Sequence, residues 1–172
     1  MSWPLALIGP KDPELTDAAL LAAGKALYLS NCFESGCYDI LRVCRLLSYL
    51  DTHQPADWSE AVLAVSKKKL LHATIEELET FPVVGEEDVA ILQKAREARN
   101  YLAHEGAFPG FIWCADTHHI QRHLETLRTT VADLAMGNHV VSGWRYEFDE
   151  QQPVGSTMAL FPKLAVRWVF GD

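Results

Sequence analysis

Apolar and polar positions alternate along this chain mostly with the period of a helix. Ala19, Leu20, Ala23, Ala26 and Leu27 recur three and four apart, which predicts an amphipathic helix to about Ser30 with Thr16 or Asp17 as its cap. Cys37, Ile40, Leu41, Cys44, Leu47 and Leu50 form the inner stripe of a second stretch from about Phe33. Gly36 falls in its first turn, so the two stretches are either separate helices or one bent helix. After a loop over Asp51 to Ala56, Asp57 opens a helix to roughly Leu71. A short helix follows over residues 75–81, before Pro82. Glu86, Glu87 and Asp88, behind Gly85, place three acids where the positive end of a helix dipole favours them. That helix carries Val89, Ile91, Leu92, Ala95, Ala98 and Leu102 and ends near Gly106. Pro109 and Gly110 mark the next loop. Asp116 caps a long helix to about Met136, with Gly137 as its C-terminal stop.

The tail reads differently. Trp144, Tyr146 and Phe148 alternate with polar or small residues, as do Leu164, Val166, Trp168 and Phe170. Period two predicts half-buried strands, and the Pro153–Gly155 region supplies a turn. The division expected is a helical bundle over 1–137 and an appendage over 138–172, a β-hairpin packed on the bundle or on a partner subunit. Leu164 to Phe170 is also compatible with a helix.

At 172 residues and nearly half hydrophobic, the chain can bury a sizeable core. A net charge of −8 disfavours broad adhesion to polyanions and leaves room only for a local basic site. The cysteines, Cys32, Cys37, Cys44 and Cys114, contain no C-x-x-C pair and read as buried, reduced thiols of a cytoplasmic protein. Residues 1–10 lack the basic flank of a signal peptide, and no apolar run is long enough for a membrane span.

One segment carries candidate chemistry. Arg99, Asn100 and His104 spell R-N-x-x-x-H on the helix predicted from Glu86 to about Gly106, with Arg96 one turn earlier. Composition gives about one loose R-x4–6-H match by chance, whereas requiring Asn after Arg lowers the chance expectation to roughly 0.01 or less. Histidine titrates near neutral pH and carries protons. Arginine's planar fork stabilises a developing phosphorane. Asn100 and His104 share a helix face, while Arg99 lies about 140° around from His104 and must curl its stem toward the site. Glu105 adjoins His104 and Glu97 lies about two turns back, so the motif holds no carboxylate set for Mg²⁺.

These residues resemble the signature of the HEPN superfamily, in which an arginine, a polar residue and a histidine sit on a late helix of a four- or five-helix bundle. The resemblance covers about residues 14–137. It implies a mainly α fold and a metal-independent endoribonuclease, a toxin or defence effector, with Arg99, Asn100 and His104 catalytic and Arg96 touching RNA. It also implies no cofactor, a homodimer whose motifs face each other, and an antitoxin or regulatory partner. A non-catalytic dimerising module that binds nucleic acid, nucleotide or protein is the alternative. His118, His119 and His123 could hold a metal, although a solvated or interface helix face fits them better. Lys67, Lys68 and Lys69 read as a solvated run. Asn31 and Glu34 either line a cleft or serve surface and capping roles.

Overall fold

The computed structural model describes residues 10–54, 58–67, 69–106, 116–150 and 156–171. They form six α-helices and, among the described residues, no strand. The first, α1, runs unbroken over Pro13–Thr52. Its N-cap is Asp12, whose Oδ1 accepts from the Leu15 N–H at 3.1 Å, and Pro13 occupies the first turn. Proline is preorganised for that position, so the helix starts ahead of the expected caps. Thr16 is instead buried within it. Buried Phe33 and Cys37 continue the stripe of Ala26 and Leu29, so no joint exists between two stretches.

Two helices follow, as expected, with earlier ends: α2, Trp58–Val65, stops short of Leu71, and α3, Leu71–Leu78, stands where the short helix over 75–81 was expected. Asp57, the expected start of α2, lies outside the described residues. Arg45 of α1 accounts for the early end of α2. Its Nη1 donates to the Lys67 carbonyl at 2.8 Å, and its Nε and Nη2 bind Glu77 of α3 at 2.6 and 2.7 Å. Carbonyls that helix continuation would have engaged are held by that guanidinium.

Helix α4, Glu86–Tyr101, begins at Gly85 as expected, with the Asp88 carboxylate accepting from the Gly85 N–H at 3.2 Å. It continues into a π-helical turn over Leu102–Gly106. The expected loop signal at Pro109 and Gly110 lies outside the described residues.

The largest correction concerns the C-terminal third. Helix α5 spans Thr117–Glu150 and passes through Gly137. Gly137 does not stop a helix; it lets three helices meet. A Cβ there would lie 2.3 Å from the Ala95 Cβ of α4 and 2.9 Å from the Phe33 ring of α1. Gly36 plays the same part from the α1 side, where a Cβ would meet Val141 at 2.7 Å. Beyond Gly137 the buried residues are Asn138, Val141 and Trp144, steps of three that keep the helical period. Tyr146 is exposed, so the two-residue alternation was incidental.

The second expected strand is also helical. After a 3₁₀ turn over Ser156–Leu160, α6 covers Phe161–Phe170. Its buried Ala165 and Val169 are four apart, whereas Leu164 and Trp168 are exposed. The Lys25 ammonium donates to the Trp168 carbonyl at 2.8 Å, which satisfies an orphan acceptor at the end of α6. One contiguous core joins α1, α3, α4, α5 and α6.

Candidate functional site

The end of α4 presents the motif. Ala95, Ala98 and Leu102 face the core, as the apolar period requires. Arg99 and Asn100 are therefore placed on the flank, half-buried, and His104 is exposed in the π-helical turn. That wider turn is an interruption often found at functional sites, and it alters where His104 projects relative to an uninterrupted helix. His104 has no hydrogen-bond or ion-pair partner among the described residues.

Arg99 was expected to curl toward His104; its guanidinium instead meets α1. Its Nε and Nη2 donate to Glu34 Oε2 at 3.1 and 2.8 Å, and its Nη1 lies 3.4 Å from Asn100 Oδ1. The pair is about 30% exposed on both sides, at 29% and 32%, so the guanidinium remains reachable. An arginine has five N–H donors; three are engaged and two are without a partner among the described residues. Arg96 is half-buried, and its Nε donates to Gln93 Oε1 at 2.8 Å. Arg99 and Asn100 thus meet, while Arg96 is occupied locally.

His123 secures this end of the bundle from α5. It is buried, and its Nε2 lies 3.1 Å from the Gly106 carbonyl, the last of the π-helical turn. That carbonyl requires Nε2 to carry the proton, which leaves Nδ1 to accept from the Tyr101 hydroxyl at 3.5 Å. The other two histidines look elsewhere. His118 Nε2 contacts Arg122 at 2.9 Å, and His119 Nδ1 contacts Asp116 Oδ1 at 2.7 Å. The His119 backbone N–H and its ring hold the Asp116 carboxyl below the ordinary value. The three rings do not converge, and among the described residues no group of three or more His, Cys, Asp or Glu could hold a metal ion.

Of the lysine run, Lys69 pairs with Glu77 and Lys67 is exposed, while Lys68 lies outside the described residues. Cys32 is exposed, contrary to expectation, because it sits on the outer side of α1. Cys37 and Cys44 are buried thiols. Burial pushes Cys37 far up, aided by the negative Glu34, and burial also raises Cys44, so neither is a ready nucleophile. Cys114 lies outside the described residues.

Two site residues had no decisive sequence signal. Glu34 pairs with a residue 65 positions away, and a pair at that separation leaves no local pattern. His123 could have been found: it falls between Ile120 and Leu127 at core spacing, and all three are buried. No described helix is long and apolar enough to cross a membrane. Comparison with protein-family models, curated proteins and solved structures finds no match for this chain.

Proposed function

We propose that the chain is a HEPN-type endoribonuclease that cleaves RNA without a metal ion. The observation that carries this is a guanidinium, oriented by Glu34 beside Asn100, on the same helix end as an exposed histidine that has no partner among the described residues. In the reaction the substrate's 2′-hydroxyl loses its proton and attacks the adjacent phosphorus. The bond from phosphorus to the 5′-oxygen breaks, and that oxygen takes up a proton. The products are a 2′,3′-cyclic phosphate and a 5′-hydroxyl. His104 carries the proton, Arg99 stabilises the phosphorane, Asn100 holds the Arg99 fork, and Arg96 contacts the RNA backbone.

A single motif is sparse, so the working form is a homodimer with an isologous interface near α4. Facing motifs double Arg96 and Arg99 locally, which offsets the repulsion an acidic protein exerts on RNA. Light scattering at micromolar concentration should give twice the monomer mass, and a monomer would remove the composite site. The biological setting that goes with this activity is a cytoplasmic toxin or defence effector with an antitoxin or regulatory partner.

Glu34 favours a second reading, because its negative charge offsets that of Arg99. On it the chain is a non-catalytic HEPN module that dimerises and binds a nucleic acid, nucleotide or protein. Total RNA incubated in EDTA separates the two. Cleavage by the wild type that His104→Ala loses supports the enzyme; intact RNA with both proteins supports the module.

A further inference from the structure

A cavity of about 280 Å³ opens beside the Arg99–Glu34 pair, between α1 and α3. That volume lies just below the range for drug-sized ligands and suits one base-sized group. Asn31, Ser35 and Tyr38 present one face of α1 to it, Glu34 borders it, Leu71 and Thr74 close it from α3, and Lys69, whose ammonium pairs with Glu77, lines it just ahead of α3. Tyr38 donates its hydroxyl to the Ser66 carbonyl at 2.7 Å, which fixes the ring as a wall. Leu71 adds an apolar surface. Four other polar groups are open. Asn31, Ser35 and Thr74 have no side-chain hydrogen-bond partner among the described residues, and both bonds from Arg99 go to Glu34 Oε2, leaving Oε1 without one. Thr74 is buried, and folded proteins pair most polar groups that they bury. Its open hydroxyl and the half-buried Glu34 carboxylate mark a place for a polar ligand, with exposed Asn31 and Ser35 beside them.

We infer that this cavity is a guanine-binding pocket, an inference that builds on the ribonuclease reading where the guanine belongs to RNA. An aromatic wall with an apolar surface suits a planar ring, and unstacked bases are read by stacking and by hydrogen bonds to their edges. The carboxylate selects among bases because it only accepts. Guanine offers two adjacent donors, N1–H and N2–H. Uracil offers one N–H flanked by two carbonyl oxygens, and adenine and cytosine each set a bare ring nitrogen beside their amino group. Those flanking acceptors are repelled by Glu34. The Asn31 amide can donate to O6. Glu34 thus links the base pocket to Arg99, so a guanine seated there would place its own chain beside the motif.

NMR titration with 3′-GMP and 3′-UMP tests this, since both carry the same phosphate and differ in the base. Binding of 3′-GMP should be at least about tenfold tighter, the discrimination one good two-bond base contact gives. Ser35→Trp, at an exposed position of α1, should fill the pocket and remove 3′-GMP binding, and Asn31→Ala should weaken it several-fold. Glu34→Gln should shrink the preference for 3′-GMP over 3′-UMP. Equal affinity for the two nucleotides, or 3′-GMP binding unchanged in both Ser35→Trp and Asn31→Ala, overturns the pocket. Mapping of RNA cuts separates the two sources of guanine. Cuts that cluster at guanine and scatter in Ser35→Trp assign the base to the RNA chain. Guanine-blind cuts with tight 3′-GMP binding assign it to a free nucleotide. Uncut RNA with tight 3′-GMP binding removes the ribonuclease and keeps the pocket.

Discussion

Two regions of this molecule use the same residue types for different ends. On the α1–α3 side, Glu77 has both carboxylate oxygens engaged, Oε1 by Arg45 and Oε2 by Arg45 and Lys69. At the end of α4, Glu34 engages an arginine through Oε2 alone. The histidines divide in the same way. His123 has a partner at each ring nitrogen and is buried, whereas His104 is exposed and has none among the described residues. A group whose hydrogen-bonding capacity is filled by its own fold can hold structure but offers nothing to a substrate. A group held on one side and open on the other is oriented and still available, which is what a site requires.

Substitutions should separate the two regions, with the largest effect at the open end. His104→Ala should lower the cleavage rate by about 10²–10⁴, the usual loss for a proton-transfer group. Its melting temperature should stay that of the wild type, because the ring is exposed and has no hydrogen-bond partner among the described residues. His123→Ala should do the reverse. It leaves the buried Gly106 carbonyl unsatisfied, which costs about 1–3 kcal/mol, read as a lower midpoint in urea. Equal stability of the two variants would erase the distinction between them.

Glu77 gives a pH-dependent test. Its hydrogen bond with Arg45, helped by Lys69, lowers its pKa from 4.5 to about 2. A carboxyl depressed by folding contributes stability above its unfolded pKa, and that contribution is lost as pH falls toward the folded value. The pin should therefore be fully present above about pH 5.5 and fade between about pH 4.5 and 2, a contribution of roughly 1–2 kcal/mol once solvent screening is allowed for. Glu77→Gln should flatten the acid limb of the stability profile across that window; an unchanged limb would contradict the pin. The smallest effect belongs to His119→Ala, an exposed ring on exposed Asp116, where the denaturation midpoint should barely move.

The helical character of the chain was legible because burial imposes a period of 3.6 on α1, α4 and α5. Glycine was not legible, because its sequence signal is the same for a stop and for a close approach. Gly137 is a contact point for Phe33 and Ala95, and only the partners on other helices make that visible. Misreading it cut α5 short and freed Trp144, Tyr146 and Phe148 to look like a strand. The early end of α2 was hidden for a similar reason, since it depends on Arg45, some twenty residues earlier in the chain. At the site, spacing placed Arg99 and Asn100 together and expected Arg99 to curl toward His104, whereas its guanidinium meets α1. It could not say that Glu34 would receive it.

The central claim is that Arg99 and His104 promote attack by the RNA's own 2′-hydroxyl. A short RNA carrying one 2′-deoxy substitution at the scissile nucleotide, incubated in EDTA with the wild-type protein, tests it most directly. The all-ribose strand should be cut to a 2′,3′-cyclic phosphate and a 5′-hydroxyl, and the substituted strand should stay whole at that position. Cleavage of the deoxy position, or cleavage that EDTA abolishes and Mg²⁺ restores, would contradict the claim.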